Sequence, residues 1–104
     1  MSSIVLPTLN KGDKGDAVRF LEQILAALYW TFDFPVSRQG SGYIDTEVDF
    51  DAVYDDTTVK AVKEFQDSYN RQRNPAVPLE VDGSVGPETW KALGDAIYHE
   101  TLRT

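Results

Sequence analysis

Tyr69, Asn70 and Arg71 stand side by side in this chain, and all three side chains hold ligands well and cut them poorly. A phenol ring offers a flat face to the C–H side of a sugar, a carboxamide pairs with hydroxyls and amides, and a guanidinium fits a carboxylate. Gln66 lies one helical turn earlier; its amide either pins the backbone of a neighbouring loop or faces outward to bond an acetamido group. Tyr29 and Trp30 add two rings at the end of an earlier apolar segment, as a stacking wall or as a satellite core under the connection that follows. Charge separates along the chain. Residues 45–56 carry Asp45, Glu47, Asp49, Asp51, Asp55 and Asp56 with no base, whereas residues 60–73 carry Lys60, Lys63, Arg71 and Arg73 against Glu64 and Asp67. An anionic group on a partner is therefore expected near residues 69–71.

Other chemistries find little support. With no cysteine and a single histidine, His99, the chain has no thiol nucleophile, no Ser/His/Asp set and no Cys- or His-ligated metal site to assemble. The alternating Asp45, Glu47, Asp49 and Asp51 could offer oxygens to calcium, but the loop lacks the Asp-x-Asp-x-Asp-Gly spacing and its distal Glu; an exposed strand face explains it more simply. A glycosidase needs two carboxylates across a cleft, and here the acids fall on one extended segment and at helix starts. The expectation is a protein that is not an enzyme and needs no cofactor or metal. His99 reads as a surface residue at a helix end.

The elements that must position these groups follow from the apolar period. Val18, Leu21, Leu25 and Leu28 form one helical stripe over residues 16–29, widened by Phe20, Ile24 and Ala27. Val59, Val62, Phe65 and Tyr69 form a second over 56–70, with Lys60, Lys63, Glu64 and Asp67 on the wet side and Asp55 or Asp56 as cap. A third helix starts at Gly86-Pro87, where proline suits the first helical position, and runs through Trp90, Leu93 and Ile97; Gly94 either weakens it or ends it early. The connection 31–55 alternates strictly from Ile44 to Phe50, which predicts a short extended strand with Ile44, Thr46, Val48 and Phe50 inward and a small β-hairpin pairing 32–36 with 43–48. Residues 71–85 are turn-rich, with Pro75, Pro78 and Asp82-Gly83.

The chain also repeats itself. Asp51, Tyr54, Thr58, Lys60, Ala61 and Val62 recur at one constant offset as Asp82, Val85, Thr89, Lys91, Ala92 and Leu93, and Val18-Arg19-Phe20-Leu21 echoes Val59-Lys60-Ala61-Val62. Each copy reads as a turn closed by an Asp, one apolar residue tucked beneath it, and an amphipathic helix; Asp51 and Asp82 are turn-formers before they are ligand contacts. Trp90, Phe65 and Val62 read as core.

The strings Leu9-x-x-Gly12-x-x-Gly15-Asp16-x-Val18-x-x-Leu21, Thr58-x-x-Ala61-Val62-x-x-Phe65-Gln66 and Val81-Asp82-Gly83-x-Val85-Gly86-Pro87-x-Thr89-Trp90-x-x-Leu93 closely resemble the peptidoglycan-binding-domain-like family. The resemblance covers residues 9–93. It implies an all-α three-helix bundle with an internal pseudo-repeat, one domain over residues 1–104 with its core in 9–98. It further implies non-catalytic binding of peptidoglycan or muropeptides and a role in holding a cell-wall hydrolase on its substrate. Two places depart from the family pattern. Asp51-Ala-Val-Tyr54-Asp55 stands where Asp-Gly-x-Phe-Gly is usual, so that Ala52 requires a different turn, and the 31–49 insertion is longer and more aromatic. The rival expectation keeps the bundle but makes it a protein–protein interaction module, with the insertion as its contact.

Composition fits this frame. The 104 residues suffice for one modest core, and at 10 Lys+Arg against 17 Asp+Glu the net charge of −7 disfavours nucleic acid and anionic lipid. The longest apolar run, 24–30, is too short to cross a bilayer, and the first residues lack the basic and apolar regions of a signal peptide. The expectation is a monomer that touches no membrane and works in the cell envelope if the family function holds.

Overall fold

The computed structural model describes residues 6–29, 44 and 46–102. Three helices make up the domain: α1 (Asp16–Tyr29), α2 (Asp56–Arg73) and α3 (Pro87–Leu102). They pack pairwise into an all-α bundle, and among the described residues there is no strand, only the isolated bridges Leu9–Val85 and Lys14–Val53.

Each helix starts where its backbone amides find partners. Asp55 caps α2: its Oδ1 accepts from the Thr58 amide and from Thr58 Oγ1, both at 3.1 Å. At the other end Asn74 turns left-handed at φ 46° and donates its amide to the Asn70 carbonyl. Pro87 opens α3 and Gly86 supplies its first carbonyl, accepting from the Trp90 amide at 2.9 Å. α3 runs on through Gly94, where a side chain would meet open space. Val18, Leu21, Leu25 and Leu28 of α1 meet Ala61, Val62 and Phe65 of α2 and Leu93 and Ala96 of α3 in one core from which water is excluded. Phe20, expected to widen the apolar stripe, is 45% exposed and stacks on Trp90 with ring centroids 5.9 Å apart.

The repeat is visible in three dimensions. Asp51 Oδ1 accepts from the Val53 amide at 3.1 Å, and Asp82 Oδ1 accepts from the Ser84 amide at 2.9 Å, so both acids close the same kind of turn. Tyr54 and Val85 are both buried beneath their turns. The N-terminal segment ties the copies together. Leu9 exchanges two backbone hydrogen bonds with Val85, and further on Gly12 donates to Tyr54, Tyr54 to Asp13, and Gly15 to Ala52. The echo in α1 sits one residue from where sequence similarity sets it. Counted from the helix starts, Val18 takes the place of Thr58, Leu21 of Ala61 and Leu25 of Phe65, and all six are buried. Burial, not residue likeness, fixes that register.

Two expectations change. Ala52 does not find a different turn: it holds φ 61°, the left-handed conformation that Gly83 adopts at φ 78° in the second copy. Residues 44 and 46–50 bury Ile44 and Val48 but leave Phe50 52% exposed, and the Thr46 backbone finds its partner on α2. The Thr46 amide and hydroxyl donate to the two oxygens of Glu64 at 3.0 and 2.9 Å, which brings Glu64 in from the wet side of its helix. Of the expected hairpin, 32–36 and residues 43 and 45 lie outside the described residues, as does Trp30.

Candidate functional site

The C-terminal half of α2 holds the 74–86 loop through two side-chain amides. Gln66 is 1% exposed, and its Nε2 donates to the Ser84 carbonyl at 2.9 Å and to Asp82 Oδ1 and Thr89 Oγ1 at 3.2 Å. Its Oε1 accepts from the amides of Asp82 and Gly83, both at 3.0 Å. Every polar valence of the group is turned toward the loop, so of the two roles the sequence left open it performs the pinning one. One turn on, Asn70 repeats the device: Nδ2 donates to the Leu79 carbonyl at 2.9 Å and Oδ1 accepts from the Leu79 amide at 2.8 Å. An amide side chain thereby stands in for a strand edge, and an irregular loop gains a fixed backbone without a sheet.

Tyr69, Arg71 and Arg73 lie on the same half of α2. Tyr69 donates its hydroxyl to Asp95 Oδ2 at 3.1 Å, and its ring lies 5.6 Å from that of Phe65. Arg73 reaches the same Asp95 oxygen at 3.3 Å. Arg71 is exposed, with its Nε 3.2 Å from Asp67 Oδ2 and its Nη2 3.2 Å from Ser68 Oγ. Tyr29 is half-buried at the end of α1. Arg71 and Arg73 are thus each matched to an acid, and counting Asp95 cuts the surplus of bases over residues 60–73 from two to one.

Pinning the loop leaves two adjoining hollows between it and α3. One, of about 310 Å³, has Pro78, Glu80, Asp82 and Ser84 on the loop side and Glu88 and Thr89 on α3. The other, of about 440 Å³, lies between Tyr69 on α2, Pro75 on the loop, and Lys91 and Asp95 on α3. Val77, Leu79 and Glu88 line both, so the hollows form one continuous shallow groove. Val77 is 79% exposed on its rim. Its chemistry suits a polar chain molecule: apolar carbon from Val77, Pro78 and Leu79, a ring edge from Tyr69, carboxylates that accept from hydroxyls and amides, and one ammonium from Lys91. Acids outnumber bases in the lining, the reverse of the charge the sequence leads one to expect there.

The chain has no cysteine, and among the described residues no group of three or more His, Asp or Glu is arranged to hold a metal ion. Among the same residues no helix is long and apolar enough to cross a membrane.

Of the binding residues singled out in the sequence, Tyr69 lines the groove and Gln66 and Asn70 fix the loop behind it, while the α3 residues that face the loop were not singled out. Glu88, Lys91 and Asp95 repeat at helical spacing on α3, opposite a loop with two prolines, and that pairing was the available signal.

The sequence from residue 14 to residue 93 matches the model of a family described as "Putative peptidoglycan binding domain". No curated protein and no solved structure matches the chain.

Proposed function

The chain belongs to this peptidoglycan-binding family, and on that footing we propose that it binds peptidoglycan strands without cleaving them, in the groove between the 74–86 loop and α3. The family match over residues 14–93 carries the reading. The groove adds the means. Its backbone is fixed by Gln66 and Asn70 before a ligand arrives, so little ordering entropy is lost on binding. Shallow and polar, it supports modest affinity per domain, which is what a targeting module needs: it raises the local concentration of an attached or partner cell-wall hydrolase on the wall. In this reading the domain acts in the cell envelope.

The test is co-sedimentation of the purified domain with insoluble peptidoglycan. The wild-type protein is expected in the pellet, and Val77→Asp, which alters an exposed rim position, is expected to weaken binding by about tenfold, roughly 1.4 kcal/mol, with its circular dichroism unchanged. A wild-type domain that stays in solution at low salt defeats the reading and favours a protein partner. Pelleting that Val77→Asp leaves untouched removes the groove from the account. Release of soluble muropeptides would make the protein an enzyme.

A further inference from the structure

Glu22 is fully buried on the inner face of α1, where the apolar stripe of a helix calls for a hydrocarbon. One carboxyl oxygen is used: Oε1 accepts from the Ala52 amide at 2.9 Å. The other, Oε2, is sealed from solvent with no hydrogen-bond partner. Among the described residues no base forms an ion pair with it; Lys14 and Arg19, its nearest basic neighbours along the chain, are exposed. The ionisable groups that act on it are Asp51, in the turn it holds, and Asp55, at the head of α2, and both are acidic.

A carboxylate in that setting would leave one charged oxygen without a donor, and burying an unpaired charge is far costlier than burying a neutral acid. We propose that Glu22 is held as a neutral carboxylic acid in the folded domain and that its ionisation is a pH-sensitive release for the 51–55 turn. The neutral acid fits the closed site. The ionised form calls for water at Oε2, and the group that shares this carboxyl is the turn whose Ala52 amide it holds in a left-handed conformation. Tyr54, three residues into that turn, donates its hydroxyl to the Gly83 carbonyl. Release at Glu22 therefore reaches the second turn and the loop that Gln66 pins. The inference stands apart from the peptidoglycan reading.

Burial pushes the Glu22 carboxyl above its ordinary range, the Ala52 amide pulls it partly back, and a side-chain hydrogen bond to Asp51 with the charges of Asp51 and Asp55 pushes it further up. An acid whose folded pKa lies above its unfolded one binds more protons when folded. Its contribution to stability is complete below the ordinary carboxyl range and is lost as pH rises through the raised value.

The measurement is the melting temperature of wild type and Glu22→Gln from about pH 4 to about pH 8, with the ¹³C carboxyl shift of Glu22 followed in the wild type. Gln keeps an oxygen for the Ala52 amide and cannot ionise. The expected result is a variant that gains on the wild type steadily as pH rises, together with a Glu22 titration midpoint displaced upward. Parallel melting curves, or a Glu22 shift that titrates in the ordinary carboxyl range, overturn the proposal. The carboxyl titration decides the matter even where the variant folds poorly.

Discussion

The two turns of the repeat have one geometry and two kinds of clamp. In the second copy Gly83 takes the left-handed conformation and its amide is held by Gln66, a neutral group whose every polar atom is satisfied. In the first copy Ala52 takes that conformation at the steric cost of a methyl group, and its amide is held by Glu22, an ionisable group with one oxygen left over. A neutral, saturated clamp resists pH, and a half-satisfied acid responds to it. Duplication preserved the turn and let the two halves differ in how conditionally they hold.

That contrast can be broken at each side. The largest effect is expected for Gln66→Leu, which strips the partners from the Asp82 and Gly83 amides in a closed site and should cost about 3 kcal/mol, read as a fall in the urea midpoint at unchanged slope. A cost under about 1 kcal/mol would mean that water replaces the amide and that the second turn is no better held than the first. Next comes Gly83→Ala. A Cβ there would lie 2.9 Å from Val59 Cγ1 at a φ of +78°, and a loss of about 2 kcal/mol is expected in the same assay. The smallest effect has the opposite sign. Ala52→Gly removes a left-handed penalty of about 1–2 kcal/mol and restores some chain entropy to the unfolded state, for a net gain of about 0.5 kcal/mol. A loss instead would show that the methyl group is packed, not merely tolerated.

The repeat itself was legible because its signals are local. An Asp two residues before the amide it accepts, an apolar residue beneath the turn and a helix start all lie within one short string, and Asp51, Tyr54, Asp82 and Val85 do what that string indicates. The three helices followed from apolar spacing and from start signals such as Pro87, though α2 runs to Arg73, past the expected end at 70, and α3 continues beyond Gly94. Glu22 marks where such reading stops. Its position belongs to the stripe of Val18, Leu21 and Leu25, yet a carboxylate reads as solvent-facing unless the amide that receives it is known, and that amide is 30 residues away. Glu64 is a second instance, drawn inward by Thr46 at a separation of 18. Gln66 could be read either way for the same reason: a side-chain amide has the same valences for a loop as for a ligand, and only the position of the loop decides. Of the groove, Tyr69 alone was singled out from the sequence as a binding residue, since its other lining residues are ordinary loop and α3 positions. The charge tally misled there because it counted Arg73 without Asp95, an acid beyond the window that lies against it in space.

The tie between the two ends of the domain bears on how it is made. Leu9 pairs with Val85, and the Trp90 indole donates to the Pro7 carbonyl at 2.7 Å across 83 residues of sequence. During synthesis the earliest stretch therefore emerges long before anything it can dock against, and the last third must clear the ribosome before that seam can close. Until then the α1 leucines lack the cover that Leu93 and Ala96 of α3 provide. Folding should arrive late and all at once.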